Sequence, residues 1–167
     1  ASLIELTIDA IATEDLLYKL PDQSIYGASK EERLFNVALE LCITWINRIL
    51  FLKLLEGQLV TYHKTSSGAG GDYRFLNPEM INSFDELFKL FHKVLAVNVA
   101  DRTEAIKSKY SKVPYLNSSL FEISELEDQT LRINSLDNDG KLELIKGSII
   151  SSTLPGKAGM GKLPTLD

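Results

Sequence analysis

The stretch Ser29-Lys30-Glu31-Glu32-Arg33-Leu34-Phe35-Asn36-Val37-Ala38-Leu39-Glu40-Leu41-Cys42-Ile43-Thr44-Trp45-Ile46-Asn47-Arg48-Ile49-Leu50-Phe51-Leu52-Lys53-Leu54-Leu55 decides the fold. Ser29 and Glu32 have capping-box spacing, in which side chain and backbone satisfy each other at a helix start. No proline interrupts residues 30–61. Asn36, Glu40, Thr44 and Asn47 recur every three or four residues and make one polar stripe. Between Ile49 and Leu55 only Lys53 breaks an apolar run. A helix that is apolar nearly all round is expected to be buried all round. At the usual rise it would be roughly 45 Å long, more than a small domain needs. It reads as the spine of something larger.

Outward from this helix, the punctuation is regular. Ser2 and Glu5 open a short helix over about 3–12, and Thr13 can cap a second piece through Lys19, which Pro21 stops. Residues 21–28 form a connector, and 65–71 a Ser/Gly loop. Ser83 and Glu86 start an amphipathic helix over 84–96, with Phe84, Leu87, Phe88, Phe91 and Leu95 on one face. Asp101 and Glu104 mark a further helix over about 101–109. After Pro114 the pattern changes. Residues 130–134 and 141–145, separated by Asp137-Asn138-Asp139-Gly140, read as a small β-hairpin. The expected fold is mainly α: a helical domain built on one long buried helix, with a small β-hairpin near the C-terminus. Its parts are N-terminal short helices and a connector (1–28), the helical domain (29–112), a loop and hairpin (113–150) and a mobile tail (151–167).

Composition bounds the chemistry. The 167 residues are 44% hydrophobic and 25% charged, with a formal net charge of −5, which is globular and disfavours a whole-chain nucleic-acid binder. One cysteine excludes an internal disulfide framework and a multi-cysteine zinc site. No apolar run is long enough to cross a membrane and no secretory signal opens the chain, so a cytoplasmic location is expected. The chain starts at Ala1 and stops at Leu163-Pro164-Thr165-Leu166-Asp167, as a piece of a longer polypeptide would.

Candidate reactive groups reduce to structural ones. Gly156-Lys157-Ala158-Gly159-Met160-Gly161-Lys162 fits G-x-x-x-x-G-K, but Leu163 occupies the Ser/Thr position and Pro164 follows, so it reads as a linker. Cys42 lies mid-helix among apolar residues, where a thiol is inert. His63 and His92 have no sequence partner for metal or base chemistry. Glu122, Glu125, Glu127 and Asp128 read as a solvated acidic face, and Asp137, Glu143 and Lys146 lack nuclease spacing. The basic cluster Arg102, Lys107, Lys109 and Lys112 is a candidate for DNA phosphate contacts, with a solvated face as the stronger reading. Arg48 sits in the apolar middle of the long helix and must find a carboxylate or main-chain carbonyls, because an unpaired buried charge is costly. The apolar residues of 113–121 suggest that this segment folds back on the long helix and supplies them. Asn47, Arg48, Tyr115 and Asn117 are the expected structural anchors.

Three segments together carry a resemblance: Asn47-Arg48-Ile49-Leu50-Phe51-Leu52-Lys53-Leu54-Leu55-Glu56, Leu87-Phe88-Lys89-Leu90-Phe91-His92-Lys93-Val94-Leu95-Ala96 and Val113-Pro114-Tyr115-Leu116-Asn117-Ser118-Ser119-Leu120-Phe121-Glu122. In order and spacing they resemble the region ahead of the methyltransferase core in single-chain type IIS/IIG restriction–modification enzymes. Related adenine-specific DNA methyltransferases often have glycines where Ser118 and Ser119 stand. The resemblance covers residues 33–167. It implies a parent with a nuclease, a helical connector, an S-adenosylmethionine-dependent adenine methyltransferase and a target-recognition domain, using S-adenosylmethionine and magnesium. Its partners would be DNA, reached through the parent, and the flanking nuclease and methyltransferase domains. This chain lacks the family's Asn-Pro-Pro-Tyr motif; Asn77-Pro78 is followed by Glu79-Met80. No catalytic, cofactor or metal residue carries over, and the isolated chain is expected to be inactive. The alternative reading is a stand-alone helical protein-interaction module that uses helix 30–61 as its binding face.

Overall fold

A computed structural model gives the fold and describes residues 3–133, apart from 69, 78 and 82. Among the described residues there are five α-helices and no strand. They are α1 (Leu3–Thr13), α2 (Lys30–Ser67), α3 (Phe84–Lys89), α4 (Glu104–Lys109) and α5 (Glu125–Gln129).

Helix α2 is the axis of the molecule. The Ser29 hydroxyl accepts from the Glu32 amide at 3.1 Å, and the Glu32 carboxylate accepts from the amides of Ser29 and Ala28. With both capping contacts made and no proline to stop it, the helix runs to Gly68, whose φ of 72° ends it in the left-handed region. Its 38 residues run past the expected end at residue 61 to Ser67. No helix among the described residues is long and apolar enough to cross a membrane.

Two hydrophobic cores are strung along this axis. Val37, Ala38, Leu41 and Cys42 pack with Ile11 of α1, Leu16, Leu17 and Leu20 of the turn after it, and Leu126 and Ile133. Ile49 and Leu52 pack with Phe75, Leu76, Ile81, Leu87, Leu90, Phe91, Val94, Leu95, Tyr110, Val113 and Phe121. Trp45 is partly buried against both, so the cores meet at one turn of α2.

The α3 helix continues as a π-helical stretch, Leu90–Leu95, in which the Ala96 amide reaches back five residues to the Phe91 carbonyl at 3.2 Å. Together the two pieces fill the expected span 84–96. The expected helix 101–109 is divided: a 3-10 turn, Val99–Asp101, precedes α4, and Thr103 rather than Asp101 caps it. Thr13 ends α1 instead of capping a second helix, and Asp15 turns the chain in the left-handed region at φ 50°.

Two fold expectations need correction. Residues 130–133 are not a strand: Thr130 terminates α5, and Ile133 and Leu131 pack into the first core instead of pairing in a sheet. The remainder of the expected hairpin and the tail 151–167 lie outside the described residues. Helix α2 is also not buried all round, because one apolar ridge of it faces outward.

The loop after α2 turns back onto it at Gly70. A Cβ there would lie 2.5 Å from the Val60 carbonyl oxygen and 2.8 Å from the Lys64 Cβ, and neither can move without distorting the helix. Gly70→Ala is expected to lift the Gly70–Tyr73 turn from α2 and cost about 1–3 kcal/mol in urea melts. A midpoint equal to the parent's would show that the loop is not held there.

Candidate functional site: a buried arginine fork

The most constrained polar group is Arg48, 1% exposed at the junction of the two cores. Its position on α2 aims it at the chain returning after α4. Nε donates to the Leu120 carbonyl at 2.6 Å, and Nη2 to the Glu122 carbonyl at 2.7 Å. Nη1 and Nη2 donate to the two oxygens of Glu127 at 2.6 and 2.7 Å, a bidentate pair. The guanidinium also lies 5.8 Å from the centre of the Phe91 ring.

Glu127 is held from both sides. It is the third residue of α5, and its Oε2 accepts from the Ser124 amide at 2.9 Å, while the Ser124 hydroxyl accepts from the Glu127 amide at 3.2 Å. One carboxylate thus closes a capping box and pairs a buried cation. Burial pushes its pKa up, but the hydrogen bonds from Arg48 and Ser124 outweigh this and hold it below the usual carboxylate value.

His92 completes the cluster. Its Nδ1 lies 2.6 Å from the Phe121 carbonyl, and because a carbonyl only accepts, Nδ1 carries the proton and donates. Burial lowers the His92 pKa, the Phe121 bond opposes that, and the Arg48 charge lowers it further; the net direction is down. A neutral, hydrogen-bonded imidazole beside a permanent cation is a structural group.

A second carboxylate, Glu86, gathers Lys109 and the Tyr110 hydroxyl at 2.7 Å each and Lys89 at 3.2 Å. Burial raises its pKa, but these three donors prevail and hold it at about 2. Burial and the Glu86 charge push the Tyr110 phenol up. On α2, buried Lys53 pairs with Glu56 at 3.1 Å, and Glu56 also accepts from the Leu76 amide at 2.6 Å.

The fold gives the expected phosphate contacts different partners within the chain. Arg102 is buried: Nε and Nη1 donate to the carbonyls of Val97 and Val113, and among the described residues Nη2 has no acceptor. It staples the α4 loop from a buried position, 4% exposed. Lys107 pairs with Glu104, Lys109 with Glu86, and Lys112 lies 5.3 Å from the Tyr73 ring centre. Of the four expected anchors, Arg48 occupies the centre, whereas Asn47, Tyr115 and Asn117 are exposed. The Tyr115 hydroxyl donates to the Asn117 side-chain oxygen at 3.3 Å. Leu116 docks the segment, its amide donating to the Leu95 carbonyl at 2.9 Å.

Glu127, expected on a solvated acidic face, is instead buried. Ser124 three residues before it was the signal for a capping carboxylate, and Glu122, Glu125 and Asp128 are exposed as expected. His63 stacks on Tyr73 at 3.6 Å between centroids, and Cys42 is buried with its thiol pKa raised by desolvation. An open cleft of about 360 Å³ between the 3-10 turn Gln23–Tyr26 and α5 is bordered by Asp22, Glu40 and Glu125, with no histidine or cysteine on its wall among the described residues. Among the described residues no three His, Cys, Asp or Glu side chains converge as a metal site.

Fold and cluster define a mainly helical domain whose central charges are, among the described residues, spent on one another. The chain belongs to a family described as Domain of unknown function (DUF7814), whose sequence model matches residues 1–167. No curated protein and no solved structure matches it.

Two measurements check the fork. Arg48→Ala strands Glu127 and two carbonyls and is expected to cost about 3–5 kcal/mol, with Arg48→Lys recovering only part because an ammonium lacks the planar fork. A loss within about 0.5 kcal/mol would place Arg48 at the surface. Acid sensitivity follows from the shifts. The folded-state pKa of His92 lies below its ordinary 6.5, so its stabilisation is complete above that pH and falls away below it. Glu127 and Glu86 also titrate below the ordinary 4.5, so their contributions vanish on further acidification, Glu86's near pH 2. Stability should therefore fall in two stages, and His92→Gln should flatten the first. An unchanged slope in that variant would remove His92 as its source.

Proposed function

We propose that this chain is the helical connector of a single-chain type II restriction–modification enzyme, holding a nuclease and an adenine methyltransferase in fixed relation. One observation carries the reading. The three segments that resemble those enzymes are separate in sequence but meet in one node: Arg48 comes from the first, Phe91 and His92 from the second, and Leu120, Phe121 and Glu122 from the third. What the resemblance shares is therefore a rigid joint, as a connector requires. The node's donors and acceptors are occupied by one another, which supports a scaffold without chemistry of its own. S-adenosylmethionine, magnesium and DNA would be engaged by the parent's other domains.

The alternative, a stand-alone interaction module, is favoured by the outward apolar ridge of α2. The two readings separate in the parent polypeptide. A reading frame that continues into Asn-Pro-Pro-Tyr, and whose product cleaves and methylates DNA, supports the connector. The isolated chain with plasmid DNA, magnesium and S-adenosylmethionine should do neither. Cleavage or methyl transfer by it, abolished by a point mutation in this chain, sinks the proposal. In the active parent, Lys107, Lys109 and Lys112 changed together to Ala should leave the salt slope of DNA binding unaltered, because these lysines are engaged with Glu104, Glu86 and Tyr73; a slope lower by two or three would assign them to phosphates.

A further inference from the structure

Phe35, Leu39, Ile43, Ile46, Leu50 and Leu54 on α2 are each 36–57% exposed. Single exposed leucines are ordinary, whereas a contiguous apolar patch marks an interaction surface. At 100° per residue these six fall within one arc, forming a ridge about 29 Å long. Of the nearby charges, Glu40 stands on the adjoining polar stripe, and Lys53, at the arc's edge, is buried against Glu56.

The spacing along the ridge is 4-4-3-4-4, which reads the same from either end. A two-fold axis passing between Thr44 and Trp45 therefore sets Ile43 against the second copy's Ile46, Leu39 against its Leu50 and Phe35 against its Leu54. Every apolar residue of the ridge meets an apolar residue, as an isologous interface demands. The same symmetry sets Glu31 and Glu32 against the uncharged Gln58 and Gly57, so no like charges collide. The antiparallel direction also opposes the two helix dipoles favourably. Exposed area, including Phe51 at the ridge's edge, is on the order of 500 Å² per copy. Doubled, that reaches the lower bound of a specific interface and implies a weak, concentration-dependent pair.

We infer that the chain self-associates as an antiparallel homodimer through the Phe35–Leu54 ridge of α2. This does not rest on the connector reading, and it is tested on this chain while that one is tested on the parent. Sedimentation velocity from micromolar to submillimolar concentration should show a monomer–dimer equilibrium. Ile43→Glu with Ile46→Glu places four carboxylates around the axis and should leave only monomer, with the helical circular dichroism signal retained because both positions are half exposed. Direction is read by cysteine pairing. Leu39→Cys protein mixed with Leu50→Cys protein should cross-link on oxidation. Leu39→Cys alone should not, because its two copies lie eleven residues apart along the pair, about 16 Å, beyond disulfide reach. The parent chain, whose Cys42 is buried, serves as control. A monomer at all concentrations overturns the inference and leaves the ridge to another occupant; self-cross-linking of Leu39→Cys alone overturns the antiparallel arrangement.

Discussion

The Arg48 guanidinium constrains every element that follows it. Taking it out of water costs several kcal/mol, recovered only if its donors are met with good geometry. The acceptors come from residues 120–127, so the chain must return to the middle of α2 after α4. With the Leu120 and Glu122 carbonyls both turned toward Arg48, Phe121 between them is driven inward. It meets Phe51 edge-on at 5.6 Å and Phe91 at 6.0 Å, and its carbonyl accepts a hydrogen bond from His92 Nδ1. One cation thereby positions a loop, an aromatic cluster and the π-helical stretch after α3.

The fork also joins what would otherwise be two small domains. Each core is modest, and cores of that size are marginal alone. Phe121 belongs to one, and Leu126, next to Glu127, belongs to the other. Arg48 holds the backbone beside the first and the side chain beside the second. Trp45, one turn earlier on α2, is packed against both. Hinge motion between the cores would have to break a bidentate ion pair and reopen that indole contact, so the junction is stiff.

Local signals in the sequence were legible where the physics is local. Ser29 and Ser83 announced helix starts, and the absence of proline announced α2 through residue 61 but not the six residues it adds beyond. Arg48 announced that it needed a partner, because an unpaired buried charge is excluded on energetic grounds. Which group met it was not legible: Glu127 looks like its neighbours Glu125 and Asp128 until α5 turns it inward. Arg102 misled for the converse reason, since a cation grouped with lysines reads as surface, and only the fold shows that Val97 and Val113 claim it. The ridge on α2 was visible as apolar residues but read as core, because hydropathy records that a face avoids water and not what shields it. The β-hairpin reading failed over 130–133 because Leu131 and Ile133 have alternation compatible with a strand, yet their contacts lie in the helical core.

The separation of Arg48 from its partner has a consequence during synthesis. Glu127 lies 79 residues downstream. At 5–20 residues per second, a ribosome needs about 4–16 s to deliver it after Arg48 has been made. Throughout that interval the middle of α2 has a cation with no counter-charge, and water must stay around it. The junction of the two cores therefore cannot dry until α5 is released from the exit tunnel, although α1 can already pack on the first half of the helix. Translation order becomes folding order, and a nascent chain interrupted before Ser124 would expose the same wet, unfinished seam to proteases.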